Sequence, residues 1–501
     1  MVDHAKRKIE IFLLIVILII SAFMRLYRIR DYIVFLGDEG RDVIVVRNIL
    51  HGDLTLLGPT ASVGGFYLGP IYYYMMAPFL WLAGYDPAGP AYLIAILGIA
   101  TVYMVYRFGK RFFHPIVGLS AAFLYSISPL TVRYSRASWN PNPLPFFTIL
   151  GMYFLAVGLE KKQHKYIWLA GGCLGIVWQL HYLALILTGV YAIIIAWDSF
   201  ISHKNNWRKF LIHSVLIFTG WVITFSPFLA FEVRHNFPNT HTVIEFVTRK
   251  NGAIDFKPID IITTFWRRLT RLFFEAYTLP NSVPVKMISV VAAVTLIYAS
   301  LKRNKVLLLW TLAGLSGMSL YQGDIHNYYF GLLFPVPFLL TGVLFHLLWE
   351  KGKITRLLAL GFMLFLSYIY ISKAFFQILP NRQLDQTKTV ALMAIEFADG
   401  KPYNYALIAT GNSDHAYRYF MDITTNPPVN LETQITEQLI VICEQPQETC
   451  QPLGNPIWEI AGFGRAETVE VARSPVGDIS IFKLIHHFES ENKIGKPATK
   501  G

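Results

Sequence analysis

Charge is scarce in this chain of 501 residues: Asp, Glu, Lys and Arg make up 15% of it, against 54% hydrophobic residues. A soluble domain carries roughly a quarter charged residues, so a single water-soluble globule is excluded. Cysteine is scarcer still, with three in all: Cys173 in an apolar stretch, and Cys443 and Cys450 close together in a polar one. No paired C-x-x-C spacing is present, which excludes the common zinc-binding arrangements. The N-terminal MVDHAKRK followed by IEIFLLIVILIISAFM lacks a small-residue cleavage site, so it reads as a retained first helix and not a removed signal peptide. Internal repeats are lacking. The formal charge of +12 is dispersed in small clusters between apolar segments, which argues against nucleic acid as a partner.

What the chain has in quantity is apolar length and aromatic rings, with 37 Phe, 27 Tyr and 11 Trp. Ile11 to Ile20 is an unbroken apolar run whose insertion is favourable by roughly −3 to −6 kcal/mol at about −0.3 to −0.6 kcal/mol per residue. Stretches of about 17 to 25 residues suited to crossing a bilayer fall near 9–26, 90–107, 114–130, 143–160, 166–181, 183–200, 209–229, 284–301, 306–321, 328–348 and 355–373. The expectation is an α-helical polytopic membrane protein with about eleven transmembrane helices. Basic clusters at 6–8, 107–111, 161–165, 204–209, 302–305 and 351–356 fall at every second connection. The positive-inside rule then puts the N-terminus in the cytoplasm and the C-terminus outside.

Two long external loops are expected, 27–89 and 230–283. The first contains 64-GGFYLGPIYYYMMAPFLWLAG-84, read as a helix lying on or dipping into the outer interface, because counting it as a span inverts every later basic cluster. The second contains 265-FWRRLTRLFFEAY-277, where Phe265, Leu269, Leu272 and Phe273 suit a helix lying flat on an anionic surface. Residues 1–375 thus form the membrane part. Beyond them, strands at 405–410, 438–444 and 478–485 and a helix at 384–398 predict a small extracytoplasmic α/β domain over 376–487, with 488–501 a disordered tail.

Polar chemistry concentrates in the external connections. In 35-FLGDEGRDVIVVRNIL-50, Asp38 and Glu39 stand between Gly37 and Gly40, either as a solvated turn or as a helix start over 39–50 with Asp38 as its cap. A carboxylate there can serve as a general base toward an acceptor hydroxyl. Arg41 follows, and the turn 131-TVRYSRASWNPNPLP-145 adds Arg133, Arg136 and Asn140. Arginine suits phosphate through its planar fork, although an arginine at a membrane interface is as readily explained by snorkelling toward headgroups. Three further turns, 179-QLHY-182, 231-FEVRHNFPNTH-241 and 321-YQGDIHNYYF-330, bring His181, Tyr182, Arg234 and His326, a set fitted to line a polar cavity for phosphate or sugar. No H-x-x-x-H pattern favours a metal. Cys443 and Cys450 fall on the oxidising side, where a disulfide between them is an open alternative.

The order of these features resembles a family. A first helix, an Asp-Glu pair in the first external loop, the Gly/Pro/Tyr-rich GGFYLGPIYYYMMAPFLWLAG, and a Gly-Lys-Arg-Phe-Phe turn before the next span are similar to the C-type (GT-C) integral membrane glycosyltransferases. Within them the likeness is to the bacterial protein mannosyltransferase and lipid A aminoarabinose transferase group, over roughly residues 1–375. The resemblance implies transfer of a sugar, with inversion, from a polyprenyl-phosphate donor to a hydroxyl of a protein, glycolipid or polysaccharide outside a prokaryotic plasma membrane. It implies Asp38 as catalytic base with Glu39 in support, and Arg136 with Arg133 neutralising the departing phosphate. Such families often carry a second acid after the third span. The matching position here is Asn140, which leaves a metal's part open; nothing in the sequence calls for another cofactor. The competing expectation is a transporter or flippase for a lipid-linked sugar. Such proteins usually carry repeats and intramembrane charges, both sparse here.

Overall fold

The computed structural model describes residues 2–61, 64–202, 205–248, 258–279, 294, 305–321 and 323–487. The expected span at 284–301 lies outside the described residues, Val294 excepted, and so does the expected tail. In chain order the helices are α1 (Val2–Leu26), α2 (Gly37–Leu50), α3 (Ile71–Leu82), α4 (Ala88–Phe112), α5 (Pro115–Ile127), α6 (Leu144–Lys161), α7 (His164–Leu180), α8 (Ile186–Ala196), α9 (Trp207–Arg234), α10 (Pro238–Thr248), α11 (Pro258–Tyr277), α12 (Lys305–Leu320), α13 (Pro335–Lys351), α14 (Lys353–Ser372), α15 (Gln383–Phe397) and α16 (His415–Asp422). The strands are β1 (Asn404–Ile408), β2 (Gln438–Cys443), β3 (Ala466–Arg473) and β4 (Ser480–His486).

The chain forms two compact units. The first comprises residues 1–29 and 52–379, the second residues 30–51 and 380–501. The sequence reading kept 30–51 with the membrane part; in the structure this segment belongs to the unit that contains the sheet.

The first unit is mostly helical. Among the described residues, six helices are long and apolar enough to cross a bilayer, and a seventh crossing arises if Asn327–Leu333 and α13 count together across their 57° bend. The expected straight span at 328–348 is therefore broken, at Phe334 and Pro335, where a proline ring cannot continue the preceding helix. Helices α5 and α12 are apolar but shorter. Small residues set the closest packing: a methyl group added to Gly171 would strike the backbone of Ile217, and one on Gly220 the backbone of Trp168. Helices α7 and α9 therefore meet backbone to backbone, the arrangement small residues permit between spanning helices.

Helix α11 corrects an expectation. Its apolar stripe does not lie free for a membrane surface, because Leu269, Leu272 and Phe273 are each about 2% exposed or less, and Tyr277 Oη and Thr341 Oγ1 share a hydrogen bond of 2.6 Å. The same amphipathic period serves a protein neighbour as well as a lipid one. The protein neighbour has it here.

In the second unit the sheet order is β1-β2-β4-β3, with β1 and β2 parallel and the other pairs antiparallel. Parallel pairing needs a crossover, and the chain between β1 and β2 carries α16. Ala406, Ile408, Leu439, Val441, Cys443, Phe482 and Leu484 make the core on one face. Cys443 and Cys450 are joined in a disulfide within it. The expected strands and helix occur, while β3 and α16 went unread in the sequence. Edge strand β3 is largely exposed, with a register shift between Thr468 and Glu470, and so lacks a continuous apolar signal.

Candidate active site

The polar residues singled out in the sequence fall into two groups, one in each unit. In the second unit, α2 begins at Gly37, two residues earlier than the 39–50 expected, and its cap position is Leu36, which has no acceptor side chain. Asp38 is therefore not the cap. That task falls to Glu39, whose Oε2 accepts the Leu36 N–H at 3.0 Å. Glu39 is 8% exposed. Burial pushes its carboxyl up to about 8 against the pull of the Leu36 N–H, with Asp42 and Asp38 adding to the rise. Asp38 turns outward, its side chain 53% exposed, and pairs with Arg41 Nη1 at 3.0 Å. Arg41 also holds the fully buried Asp42, at 2.8 Å through Nη2 and 3.0 Å through Nε. Arg41, expected among the substrate-binding residues, bridges two carboxylates in the structure.

The two glycines serve close approach and not a bend. A methyl group on Gly37 would meet the Ser413 side chain, and one on Gly40 the backbone of Ala416. The start of α2 thus lies against α16 and the loop before it. Gly37 N–H donates to Asn412 Oδ1 at 2.9 Å, and Phe35 N–H to Gln383 Oε1 at 3.1 Å. Arg30 Nη2 pairs with Asp385 at 2.7 Å.

In the first unit, the expected residues separate into those that hold the fold and those that meet at one place. Arg136 is 4% exposed and donates to the carbonyls of Met24 (3.0 Å), Arg25 (3.1 Å) and Tyr27 (2.9 Å) while lying 3.8 Å over the Phe375 ring. It caps the end of α1, whose last carbonyls have no helical partner. Asn140 does the same for α7, donating to Leu180 O at 2.8 Å. In the structure these two side chains hold helix ends. Arg133 and Arg234 are exposed.

His181, Tyr182 and His326 do come together. Tyr182 Oη donates to Tyr329 Oη at 2.9 Å and lies 3.3 Å from Tyr321 Oη. The His181 ring stacks on Tyr182 at 4.5 Å and meets Tyr329 at 4.7 Å. The His326 ring lies parallel to Tyr328 at 5.7 Å, and Trp139 lies edge-on to Tyr328 at 4.4 Å.

Helix α11 borders this aromatic group with residues the sequence reading assigned to a lipid surface. Arg268 Nη2 donates to Tyr321 O at 2.7 Å, and Arg271 Nη2 to Asn327 Oδ1 at 2.8 Å. Arg268 is 8% exposed, and its Nε has no hydrogen-bond partner among the described residues. Burial, then repulsion from Arg267 and Arg271, pulls its guanidinium down to about 10, still charged at neutral pH. Buried cations are normally paired. One left beside two like charges and an array of hydroxyls is chemically suited to an anion. The spacing of Arg267, Arg268 and Arg271 was visible in the sequence; the burial of Arg268 was not. No cluster of three or more His, Cys, Asp or Glu side chains fit to hold a metal occurs among the described residues.

Residues 68–231 match the family model of dolichyl-phosphate-mannose-protein mannosyltransferases. No curated protein matches the chain by sequence. Among solved structures, the chain is similar to ArnT from Cupriavidus metallidurans bound to undecaprenyl phosphate, at 14% identity and a TM-score of 0.51, over 96% of this chain and 98% of that one. It is also similar to the oligosaccharyltransferase AglB from Archaeoglobus fulgidus in complex with an inhibitory peptide and a dolichol-phosphate, at 12% identity and a TM-score of 0.54, over 87% of this chain and 69% of that one. With its apolar spans and small C-terminal sheet domain, the chain has an ArnT- and AglB-like fold.

Proposed function

We propose that the protein transfers a sugar from a polyprenyl-phosphate carrier to an acceptor hydroxyl at the outer face of a prokaryotic plasma membrane, inverting the anomeric carbon. The observation that carries this reading is Arg268, a buried guanidinium whose Nε has no hydrogen-bond partner among the described residues, in a fold whose solved relatives are bound to undecaprenyl phosphate or dolichol-phosphate. Arg268 and Arg271, with Arg133, are the phosphate ligands; Arg133 and Arg271 both act electrostatically on Tyr134. The Tyr182, Tyr321 and Tyr329 hydroxyls and the His181 and His326 rings face the sugar, and Arg234 is an outer contact for the carrier.

Asp38 is the general base. It takes the proton of the acceptor hydroxyl as that oxygen attacks the anomeric carbon from the face opposite the phosphate. The bond from that carbon to the phosphate oxygen breaks through an oxocarbenium-like state, and the electron pair leaves on the polyprenyl phosphate. Guanidinium groups in a partly dehydrated site stabilise that developing charge. Glu39, protonated at neutral pH, does not compete as base and supports Asp38 by holding the helix start. Acceptors of three classes fit a hydroxyl nucleophile: protein, glycolipid and polysaccharide. The N-terminus is cytoplasmic and the sheet domain extracytoplasmic.

The test is release of free polyprenyl phosphate in lipid nanodiscs from a panel of polyprenyl-phosphate sugars with the three acceptor classes. Wild type releases it with one donor. Asp38→Asn loses about 10²- to 10⁴-fold in rate, and Arg268→Ala loses a comparable factor. Unchanged release in a folded Asp38→Asn variant sinks the assignment of the base.

A further inference from the structure

The segment that carries Asp38 satisfies only part of its own helix start, since Glu39 takes the Leu36 N–H and leaves that of Gly37 to another acceptor. Its cap position is Leu36, and a helix start leaves N–H groups that need an acceptor. The missing acceptor comes from about 375 residues further along the chain, where Asn412 Oδ1 takes the Gly37 N–H at 2.9 Å. The same oxygen accepts the Ser413 N–H at 2.9 Å. Asn412 is itself fixed from behind, because its Nδ2 donates to Glu444 Oε1 at 2.7 Å and Tyr417 Oη donates to that same oxygen at 2.7 Å. Tyr417 is 2% exposed on α16, and Glu444 follows directly after β2, its N–H bonded to Ile408 O at 2.9 Å. The chain of bonds therefore runs from the sheet through Glu444 and Asn412 to the residue immediately before Asp38. The bare backbones of Gly37 and Gly40 let it close.

We propose that the C-terminal α/β domain is a working part of the catalytic centre, in which Asn412, braced by Glu444 and Tyr417, is the positioning residue that fixes the helix start bearing Asp38. This rests on Asp38 being the base. Asn412 touches neither donor nor acceptor and acts only through the orientation of α2. A displacement of the base by about 1 Å is enough to cost on the order of 10²-fold in rate. Removing Asn412 therefore lowers kcat while leaving the carrier's KM alone, since the phosphate ligands belong to the other unit.

The experiment is steady-state release of polyprenyl phosphate by the full-length protein in nanodiscs, with Asp38→Asn in parallel. Asn412→Ala is expected to lose about 10- to 100-fold in kcat with donor KM within about twofold of wild type. A polarity swap keeps the test alive should Asn412→Ala fail to fold. Asn412→Asp alone sets two carboxyl groups against each other, so kcat falls at neutral pH and recovers as the pH drops and the pair takes up a proton. Combined with Glu444→Gln, the change restores the bond with its donor and acceptor exchanged, and kcat returns with a flat pH profile. A merely structural lesion does not produce that rescue. Wild-type kcat in folded Asn412→Ala, or no recovery in the double variant, overturns the positioning role while leaving Asp38 as base; unchanged release in Asp38→Asn overturns both.

Discussion

Glu39 and Arg136 show how far a side chain's task depends on burial. Glu39 ionises ordinarily near 4.5 and near 8 in the folded protein. Between those values the unfolded chain has released a proton that the folded chain keeps, so stability falls as pH rises from about 4.5 to about 8 and is level above. Glu39→Gln keeps an acceptor for the Leu36 N–H without a titrating proton. Thermal unfolding across that range should therefore decline less steeply in the variant than in wild type; equal slopes refute the assignment. Arg136, expected beside the donor phosphate, donates in the structure to three backbone carbonyls. Arg136→Lys replaces a planar fork by a single ammonium, and the lost charge-assisted bonds cost about 3 kcal/mol of stability. Donor KM in whatever fraction folds should be unchanged. A raised KM at unchanged melting temperature restores Arg136 to the phosphate.

For whole elements, sign is more telling than size. Alanine is a better helix former than glycine by about 1 kcal/mol, so Gly40→Ala stabilises α2 if that helix stands alone. Against the Ala416 backbone the added methyl has no room, and overpacking of this kind costs about 1–3 kcal/mol. We expect a net loss of stability by calorimetry, with α2 exchanging its amide hydrogens faster. Which elements were legible in the sequence follows the same logic. The spans at 9–26 and 90–107 were legible because a long apolar run has few other uses. The strands of the sheet core were legible as apolar runs between turn residues. Helix α11 was misread, because an apolar stripe beside arginines fits a lipid surface and a protein groove equally. The acidic motif was recognisable as Asp-Glu between glycines, yet the division of labour was hidden. Nothing local distinguishes the exposed Asp38 from the buried, proton-holding Glu39. The partners of Gly37 and Arg136 lie more than a hundred residues away in sequence.

The whole molecule is polytopic, and its three cysteines report on topology without any added label. Cys173 is buried in the helical unit, while Cys443 and Cys450 are paired in the sheet domain. Structural disulfides persist mainly in oxidising compartments. Closing so short a loop is worth about 2–3 kcal/mol on the chain-entropy account, and such a pairing is what the proposed extracytoplasmic placement of the sheet domain calls for. An outside sheet domain also agrees with the alternation of basic clusters along the spans. Treating intact cells with a membrane-impermeant reductant and then an impermeant maleimide should add two labels, both lost in a Cys443→Ser, Cys450→Ser variant. Cys173 should react only after denaturation. Labelling of the pair only after lysis puts the sheet domain, and with it α2 and Asp38, on the cytoplasmic side. The transfer would then have to use a donor presented at the inner leaflet, and the reading of every basic cluster would be inverted together.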